Sequence, residues 1–379
     1  MEPIISKELL QVDKAFPKIR QCIMDIKPYV PGKSIELVQK EFGLTDVIKL
    51  ASNENPLGPS SKAIEAMKDN AHKMFLYPDG YCTDLRNMLS EDLDVEPNQL
   101  IFGNGSDEVI KLLGETFIQP EDEVIVANPS FSEYDFVCFL MGGILKKVSL
   151  KNHTHDLEKM AEQVNEKTKM IFLCNPNNPT GTIVTKEEVD KFLAKVPDTV
   201  VVVFDEAYYE YVDAKSYPQS LEYLNQGREN IIILRTFSKI HGLAGLRIGY
   251  GIAAPKMIQL LERTREPFNV NLMAQKAALA SLSDKEHVQR SRDVNNKGRE
   301  FLYQAFEDMG LEYVPTYANF VMVDLQKSSK EVFLELQKKG VIIRTGDVFG
   351  MDTFIRVTIG TADENERFIN TLKEVFASL

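Results

Sequence analysis

The chain has 379 residues, of which 44% are hydrophobic and 26% are charged, and this is the composition of a globular protein large enough for two domains. A formal net charge of −12 argues against nucleic acid or an anionic membrane surface as a partner. No apolar stretch reaches the roughly 20 residues that cross a bilayer, and the acidic N-terminus is unlike a signal peptide. We therefore expect a cytoplasmic protein whose four cysteines are free thiols.

An α/β core of the doubly wound type is predicted between about residues 100 and 255. Seven apolar segments predict its strands, at residues 99–102, 123–127, 144–150, 170–174, 200–204, 231–234 and 247–252. Several are continuously apolar, as in VVVVF, which is typical of parallel strands covered on both faces. Helical patterns lie between them, and TKEEVDKFLAKV opens with a capping box formed by Thr185 and Glu188. We thus predict a large domain at 46–270, with a mostly parallel seven-stranded sheet flanked by helices.

The two ends of the chain show a different pattern. Residues 1–45 are largely helical or irregular, and from about residue 270 two long amphipathic helices precede alternating strand-like and helical segments. We predict that residues 1–45 and 271–379 form an N-terminal arm and a small α+β domain around the core.

Polar and glycine-rich segments follow several predicted strands, at the edge where open α/β sheets bind ligands. In IFGNGSDE, Gly103 and Gly105 allow a tight turn, and the amides near Ser106 and Asp107 would open a helix and bind an anion. The alternative is a plain helix N-cap at Ser106. In FLCNPNNPTG, Asn178 lies in an ordered turn whose asparagines have either a ligand-binding or a purely turn-forming role.

Two charged residues follow strands in segments otherwise built for burial. Asp205 comes directly after VVVVF, so its carboxylate is expected to be buried and to need a cation or a strong hydrogen-bond donor. A structural salt bridge at the strand end or a helix cap would meet this need without any ligand. Lys239 follows a strand with Arg247 close behind, and a partly buried lysine beside a cation has a lowered pKa and is a nucleophile. Pyridoxal phosphate accounts for these groups, because its phosphate needs an anion site, its ring nitrogen an acidic partner and its aldehyde a lysine.

Ten motifs give the chain a resemblance to the fold-type I pyridoxal-phosphate aminotransferases, in the branch of the histidinol-phosphate aminotransferases. They cover nearly the whole chain and are KPYVPGKSIE, IKLASNENPLGPS, YPDG, GNGSDE, NPSFSEY, NPNNPTG, FDEAYYEY, TFSKIHGLAGLRIGY, REPFN and IRVTIGT. The resemblance implies an α/β fold, the cofactor pyridoxal 5'-phosphate, and a homodimer in which Tyr77 reaches the cofactor phosphate of the other subunit. A metal site is not expected, because the isolated pair of His153 and His155 has no further ligand cluster nearby.

The resemblance also implies roles for individual residues around the cofactor. Lys239 would bond to the cofactor aldehyde and, once released, carry the proton, while Asp205 would pair with the ring nitrogen. Tyr208 and Asn178 would hydrogen-bond the phenolic oxygen of the ring, and Tyr134 would stack on the ring face. The phosphate would be held by the amides of Ser106 and Asp107 and by the side chains of Thr236, Ser238 and Arg247.

For the substrate, the resemblance implies that Arg356, in FIRVTIG, binds an α-carboxylate as a bidentate fork. Arg344, in VIIRTG, and Tyr29, in KPYVPG, match family positions near the substrate side chain and its phosphate. The implied reaction is transamination between L-histidinol phosphate and 2-oxoglutarate to give imidazole-acetol phosphate and L-glutamate, in histidine biosynthesis. The alternatives are an aromatic amino-acid (phenylalanine/tyrosine) aminotransferase, a decarboxylase of a phosphorylated amino acid, and a ligand sensor fused to a DNA-binding module, which the acidic charge disfavours.

Overall fold

Residues 19–26 and 32–379 are described by the computed structural model of the chain. In this part the strands are, in order, β1 Ile48–Lys49, β2 Leu100–Gly103, β3 Glu123–Asn128, β4 Ile144–Ser149, β5 Thr168–Cys174, β6 Val201–Asp205, β7 Ile231–Thr236, β8 Gly249–Ala253, β9 Tyr313–Val314, β10 Phe320–Asp324, β11 Val341–Ile342, β12 Arg344–Thr345 and β13 Phe354–Thr358. The α-helices are α1 Ile35–Phe42, α2 Ser61–Asn70, α3 Thr83–Leu93, α4 Gly105–Phe117, α5 Glu133–Met141, α6 Leu157–Glu162, α7 Lys186–Leu193, α8 Ser220–Asn225, α9 Pro255–Leu261, α10 Leu272–Leu282, α11 Lys285–Asp308, α12 Ser329–Lys338 and α13 Ala362–Ser378.

The central sheet has seven strands in the order β2-β8-β7-β6-β5-β3-β4. Strand β8 runs antiparallel to both of its neighbours, β2 and β7, and the other adjacent pairs are parallel. The mostly parallel seven-stranded sheet is therefore confirmed, and each predicted strand boundary lies within about two residues of an observed one. The reversal of β8 was not part of the prediction.

Both faces of this sheet are covered, and this is why its strands are continuously apolar. Along β6, Val202 and Phe204 belong to a hydrophobic cluster on one face, whereas Val201 and Val203 belong to a cluster on the opposite face. Helices α3, α7 and α10 contribute residues to the first cluster, and α4, α5 and α9 contribute to the second. Because successive side chains of a strand point to opposite faces, such a strand has no position left for a solvent-exposed residue.

The structure shows at which residues helices α7 and α4 begin, and this tests two predictions made from the sequence. The predicted capping box at α7 is confirmed: Thr185 accepts a hydrogen bond from the Glu188 amide, and the Glu188 carboxylate accepts one from the Thr185 amide at 2.7 Å. The alternative of an N-cap at Ser106 is wrong, because α4 already begins at Gly105 with Asn104 before it. Ser106 therefore lies within the first turn, where helix amides are still without intrahelical partners.

Two smaller sheets involve the strands of the C-terminal region. Strands β12-β13-β10-β9 form an antiparallel sheet, and β1 pairs in parallel with β11. A third hydrophobic cluster joins helices α11, α12 and α13 to these strands and includes Leu50, directly after β1. The segment around Leu50 thus packs with the C-terminal region, although the predicted large domain begins at residue 46. The division into 46–270 and into 1–45 with 271–379 stays a prediction.

Two further features concern the whole described chain. The cysteines Cys22, Cys82, Cys138 and Cys174 are free. Among the described helices, none combines the length and the apolar character that crossing a membrane requires.

Candidate active site

A cavity of about 280 Å³ opens at the carboxyl ends of the parallel strands β5, β6 and β7. Cys174, Asp205 and Thr236, which are the last residues of these strands, line it. Ligands bind at this edge of open α/β sheets because the loops that leave neighbouring strands meet there. The fold therefore gathers the predicted strand-end residues into one place.

Most of the predicted site residues line this cavity. They are Ser106, Asp107, Asn178, Asp205, Tyr208, Thr236, Ser238, Lys239, Arg247, Arg344 and Arg356. Two others do not: Tyr134 is buried outside the cavity lining, and Tyr77 lies at a second cavity. Tyr29 is outside the described residues.

One end of the cavity is suited to an anion. The start of α4, at Gly105 and Ser106, lines it, and Arg247 lies beside it with Nη1 3.4 Å from the hydroxyl oxygen of Ser238. The Arg247 Nη2 atom also donates to Asp107 Oδ2 at 2.9 Å. The Asp107 carboxylate, which would repel a phosphate, is thus paired with Arg247. Amides at a helix start together with a guanidinium are the groups that bind a phosphate.

Two glycines make this close packing possible. A Cβ atom on Gly105, whose φ is +76°, would lie 2.6 Å from Arg247 Nη2. A Cβ atom on Gly249, the first residue of β8, would lie 2.4 Å from the Ser106 amide nitrogen. Any side chain at either position would push Arg247 or the helix start out of place.

Asp205 is buried at the end of β6, with 2% of its surface exposed. Its Oδ2 atom accepts a hydrogen bond from the Tyr134 phenol at 2.7 Å, and its Oδ1 atom accepts one from the Ala207 amide at 3.2 Å. Burial raises the pKa of Asp205 to about 6, although both hydrogen bonds act in the opposite direction. No ion pair to Asp205 is found in the described part of the chain, so a structural salt bridge does not explain it.

Lys239 faces the same cavity from the loop after β7. Its Nζ atom donates to the carbonyl oxygen of Ser52 at 3.4 Å and lies 5.6 Å from the centroid of the Tyr208 ring. Burial lowers the pKa of Lys239 to about 8, and the positive charge of Arg356 adds to this effect. A lysine with such a pKa is partly neutral near neutral pH, which is the form that attacks a carbonyl.

Tyr208 and Asn53 form a polar pair at the cavity wall. The Asn53 side-chain amide donates to the Tyr208 phenol oxygen at 2.9 Å, and burial raises the pKa of Tyr208. Asn53 has φ +58° and is held by Thr358, whose hydroxyl accepts from its backbone amide at 2.9 Å. Asn53 is not among the site residues predicted from the sequence, although one of the ten motifs, IKLASNENPLGPS, contains it.

Two arginines face the cavity from the C-terminal sheet. Arg344 and Arg356 are direct partners across the antiparallel pair β12–β13, so their side chains lie on one face of the sheet. Arg356 donates from Nη1 to Asn178 Oδ1 at 2.5 Å and from Nη2 to the carbonyl oxygen of Ala51 at 2.9 Å. Two arginines that line the same cavity favour a ligand with strong negative charge.

Tyr134 requires a correction, because it does not lie where a residue that stacks on the cofactor ring would lie. Its ring packs against Phe172 with centroids 4.3 Å apart, and its phenol points to Asp205. Phe131 and Ser132, from the same FSEY segment, line the cavity instead. Tyr134 is in the first turn of α5, where it is 1% exposed, whereas Phe131 precedes the helix and remains accessible to the cavity.

Tyr77 lies away from this cavity, on the surface of the chain. The residue is 83% exposed, and its ring stacks on Phe268 with centroids 4.9 Å apart. The neighbouring residues Met74, Phe75 and Leu76 are also exposed, at 64%, 83% and 56%. Four consecutive exposed apolar or aromatic residues are unusual on a free surface and indicate an interaction site.

Comparison with known proteins assigns the chain to a class. The model of the family described as aminotransferase class I and II matches residues 45–372. Histidinol-phosphate aminotransferase of Moorella thermoacetica is 58% identical over 361 residues, which are 95% of this chain and 94% of that protein. The corresponding protein of Caldicellulosiruptor saccharolyticus is 51% identical, over 94% of this chain and 99% of its own length.

A solved structure extends the similarity to the fold. The crystal structure of histidinol-phosphate aminotransferase from Sinorhizobium meliloti, in complex with pyridoxal-5'-phosphate, superposes with a TM-score of 0.89. It is 26% identical in sequence and covers 96% of this chain and 99% of its own. The chain belongs to the aminotransferase class I and II family, in the branch of the histidinol-phosphate aminotransferases. The resemblance indicated by the ten motifs is confirmed.

Proposed function

We propose that this chain is a pyridoxal-phosphate-dependent transaminase that converts L-histidinol phosphate and 2-oxoglutarate into imidazole-acetol phosphate and L-glutamate, a step of histidine biosynthesis. Relatives that are 48–58% identical to the chain are histidinol-phosphate aminotransferases, and they support this substrate over aromatic amino acids. The single observation that carries the chemistry is that Lys239, Asp205 and an anion-binding helix start line one cavity. The direct test is transamination of histidinol phosphate by the purified protein.

The residues of the cavity fit pyridoxal phosphate. The glycine-lined start of α4 and Arg247 match its phosphate, the buried Asp205 matches its ring nitrogen, and Lys239 matches its aldehyde. When bound, this cofactor supplies an electron-withdrawing ring that stabilises negative charge on the substrate α-carbon. A site built only for structural stability has no need of an isolated carboxylate and a lysine of lowered pKa facing the same space.

We assign the following roles to the chain's own residues. Lys239 would bind the cofactor covalently, and its amine, once released, would move the proton from the substrate α-carbon. Asp205 would keep the ring nitrogen protonated, and Tyr208 and Asn178 would hold the phenolic oxygen of the ring. Phe131 takes over the position on the ring face that the sequence assigned to Tyr134.

Arg344 and Arg356 are the residues that we propose bind the negatively charged groups of the substrates. Glutamate and phenylalanine carry an α-carboxylate, for which Arg356 supplies a fork, whereas histidinol phosphate has no α-carboxylate and carries a phosphate. Arg344, directly across the sheet from Arg356, and Tyr29, outside the described residues, are the groups proposed for this phosphate. A dianion needs fixed positive charge and an aromatic ring does not, so the two arginines distinguish the two substrate classes.

Replacing Arg344 or Arg356 by alanine should lower kcat/KM for different amino donors. Arg344→Ala should weaken transition-state binding of histidinol phosphate by roughly 2–4 kcal/mol, because a charge-assisted contact in a desolvated site is lost. Activity on phenylalanine should fall much less. Arg356→Ala should impair glutamate and phenylalanine more than histidinol phosphate. The measurement is kcat/KM for the three amino donors in both variants.

Arg367→Ala is a suitable control for the arginine variants, because Arg367 pairs with Asp46 at 2.7 Å outside the cavity. Equal losses for all donors in the Arg344 and Arg356 variants would mean that these arginines act through the fold and not through the substrate.

We infer further that two copies of the chain share their active sites. The exposed stretch Met74–Phe75–Leu76–Tyr77 gives an apolar surface for a second copy, and it would bring Tyr77 of the partner subunit to the cofactor phosphate. The amino donor and the keto acceptor are then the only small-molecule partners required besides the cofactor. A location in the cytoplasm stays a prediction.

A charge placed in the exposed stretch should separate the two copies. Phe75→Asp should shift the protein from dimer to monomer and weaken cofactor binding at least about tenfold, because Tyr77 of the partner subunit is lost together with the interface. Leu334→Asp, at a residue of α12 that is 44% exposed, is the matched control. Light scattering gives the mass and absorbance titration gives the cofactor affinity. A Phe75 variant that stays dimeric would place the interface elsewhere.

A further inference from the structure

The buried phenol of Tyr134 contacts the predicted acidic partner of the cofactor and not the cofactor cavity itself. It donates to Asp205 Oδ2 at 2.7 Å, and its ring stacks on Phe172 at an interplanar angle of 13°. Helix α5 carries Tyr134 and strand β5 carries Phe172, so two elements of the core fix the position of the phenol. A buried phenol at this distance is a strong neutral donor to a carboxylate.

The Asp205 carboxylate is held by one donor on each oxygen. Tyr134 occupies Oδ2, and the Ala207 amide occupies Oδ1 at 3.2 Å. Two donors on different oxygens fix the plane of a carboxylate, while each oxygen keeps a further lone pair for a ligand. The orientation of Asp205 toward the cavity therefore depends on a residue that does not line the cavity.

We propose that Tyr134 is a positioning residue that acts through Asp205: its phenol keeps the carboxylate ionised and oriented for the ring nitrogen of the cofactor. This inference rests on the proposed function and deepens it. It also gives Tyr134 a task that differs from stacking on the ring.

The electrostatic surroundings of Asp205 show why a donor is needed. Burial raises the pKa of Asp205, and the nearby carboxylates of Asp107 and Glu206 raise it as well, whereas Tyr134 and the Ala207 amide lower it. Two further titratable groups that interact with Asp205, Cys174 on β5 and Tyr208 after β6, have raised pKa values and are neutral at neutral pH. The cations Lys239, Arg247 and Arg356 line the same cavity. Without Tyr134, the Ala207 amide would be the remaining donor, and the pKa of Asp205 would rise above about 6.

The consequence for cofactor binding has a definite sign. A neutral Asp205 does not hold a proton on the ring nitrogen, so affinity for the cofactor falls as the pH falls through the pKa of Asp205. Removal of the phenol raises this pKa, and the fall in affinity then begins at a higher pH. A residue with a purely structural role would lower the affinity equally at every pH.

The test uses Tyr134→Phe, which keeps the ring that packs on Phe172 and removes only the hydroxyl. Cofactor-free protein is titrated with pyridoxal phosphate between about pH 5 and pH 9, and the dissociation constant is read from absorbance. We expect the pH midpoint of affinity to rise by roughly one unit. The loss relative to wild type should be near tenfold at about pH 5.5 and under about twofold at about pH 8.5.

The chain offers a matched control in Tyr223→Phe. Tyr223 is also buried and donates to an aspartate, Asp190 Oδ1, at the same distance of 2.7 Å, but neither residue lines the cavity. A shifted midpoint in Tyr134→Phe together with a wild-type midpoint in Tyr223→Phe supports the proposal. An unchanged midpoint in Tyr134→Phe overturns it, whether or not affinity falls uniformly. Wild-type protein that binds no pyridoxal phosphate at any pH would refute the proposed function itself, and with it this inference.

Discussion

Lys239→Ala should lose transamination by several orders of magnitude and should bind pyridoxal phosphate without a covalent link. In the proposed mechanism, one amine both bonds to the cofactor and moves the substrate proton, so a single substitution would remove both functions. The position of the lysine supports this expectation, because Lys239 lines the cavity and burial lowers its pKa to about 8. The measurements are turnover, visible absorbance, and the protein mass after borohydride reduction in the presence of the cofactor.

Lys191→Ala is the control for this substitution. Lys191 is exposed on α7, pairs with Glu187 at 2.7 Å and does not line the cavity. This control should keep the covalent link and full turnover. Near-normal turnover in Lys239→Ala would show that the proton is moved by another group, and the assignment of Lys239 would then be wrong.

Asp205→Asn should keep the fold and lose about 100-fold or more in turnover, which is the scale of losing one well-placed electrostatic partner. The amide occupies the same volume and still contacts Tyr134, but it carries no charge to hold the proton on the ring nitrogen. Asp190→Asn is the control, because Asp190 also accepts a phenol hydrogen bond, from Tyr223, outside the cavity. Full activity in Asp205→Asn would make Asp205 a structural residue at the end of β6.

The same substitution should stabilise the cofactor-free protein. The pKa of Asp205 rises from 3.8 to about 6 on folding, so the native state binds more protons than the unfolded state between these values. The free energy of unfolding of wild type therefore falls as the pH rises from about 4 to about 6, by at most about 3 kcal/mol from this group. In Asp205→Asn the group with the raised pKa is absent, so the free energy of unfolding should not fall over this pH range. The variant should therefore be more stable than wild type above about pH 6 and equally stable below about pH 4. Urea unfolding of both proteins across this pH range checks the sign.

The sheet and the meeting of Asp205 and Lys239 at one cavity were predictable from the sequence because their signals are local and strong. VVVVF and IIIL have no polar position, which is typical of a strand buried on both faces, and charged residues follow both runs. Glu206 and Arg235 lie beside these strand ends as well, and the residues singled out from the sequence were Asp205 and Lys239. Parallel topology then places both residues at one edge without any further information. The seven strands were located within about two residues for the same reason.

Other features depend on packing that no local pattern records. FSEY offers two aromatic residues three positions apart, and only the start of α5 between them decides that Tyr134 turns into the core while Phe131 meets the cavity. Strand β1 has two residues, which is too short for any periodicity, yet it pairs with β11 nearly 300 residues later. Asn53 carries no charge, and its hydrogen-bond partner Tyr208 lies 155 residues further along the chain, so no local pattern marks it.

The central claim is that the enzyme acts on histidinol phosphate, and one measurement tests it most directly. Purified wild-type protein, loaded with pyridoxal phosphate, is assayed with L-histidinol phosphate and with phenylalanine, each with 2-oxoglutarate as the acceptor. Because relatives that are 48–58% identical to the chain are histidinol-phosphate aminotransferases, we expect a higher kcat/KM for histidinol phosphate than for phenylalanine. A preference for phenylalanine would contradict the account and move the chain to the aromatic amino-acid aminotransferases.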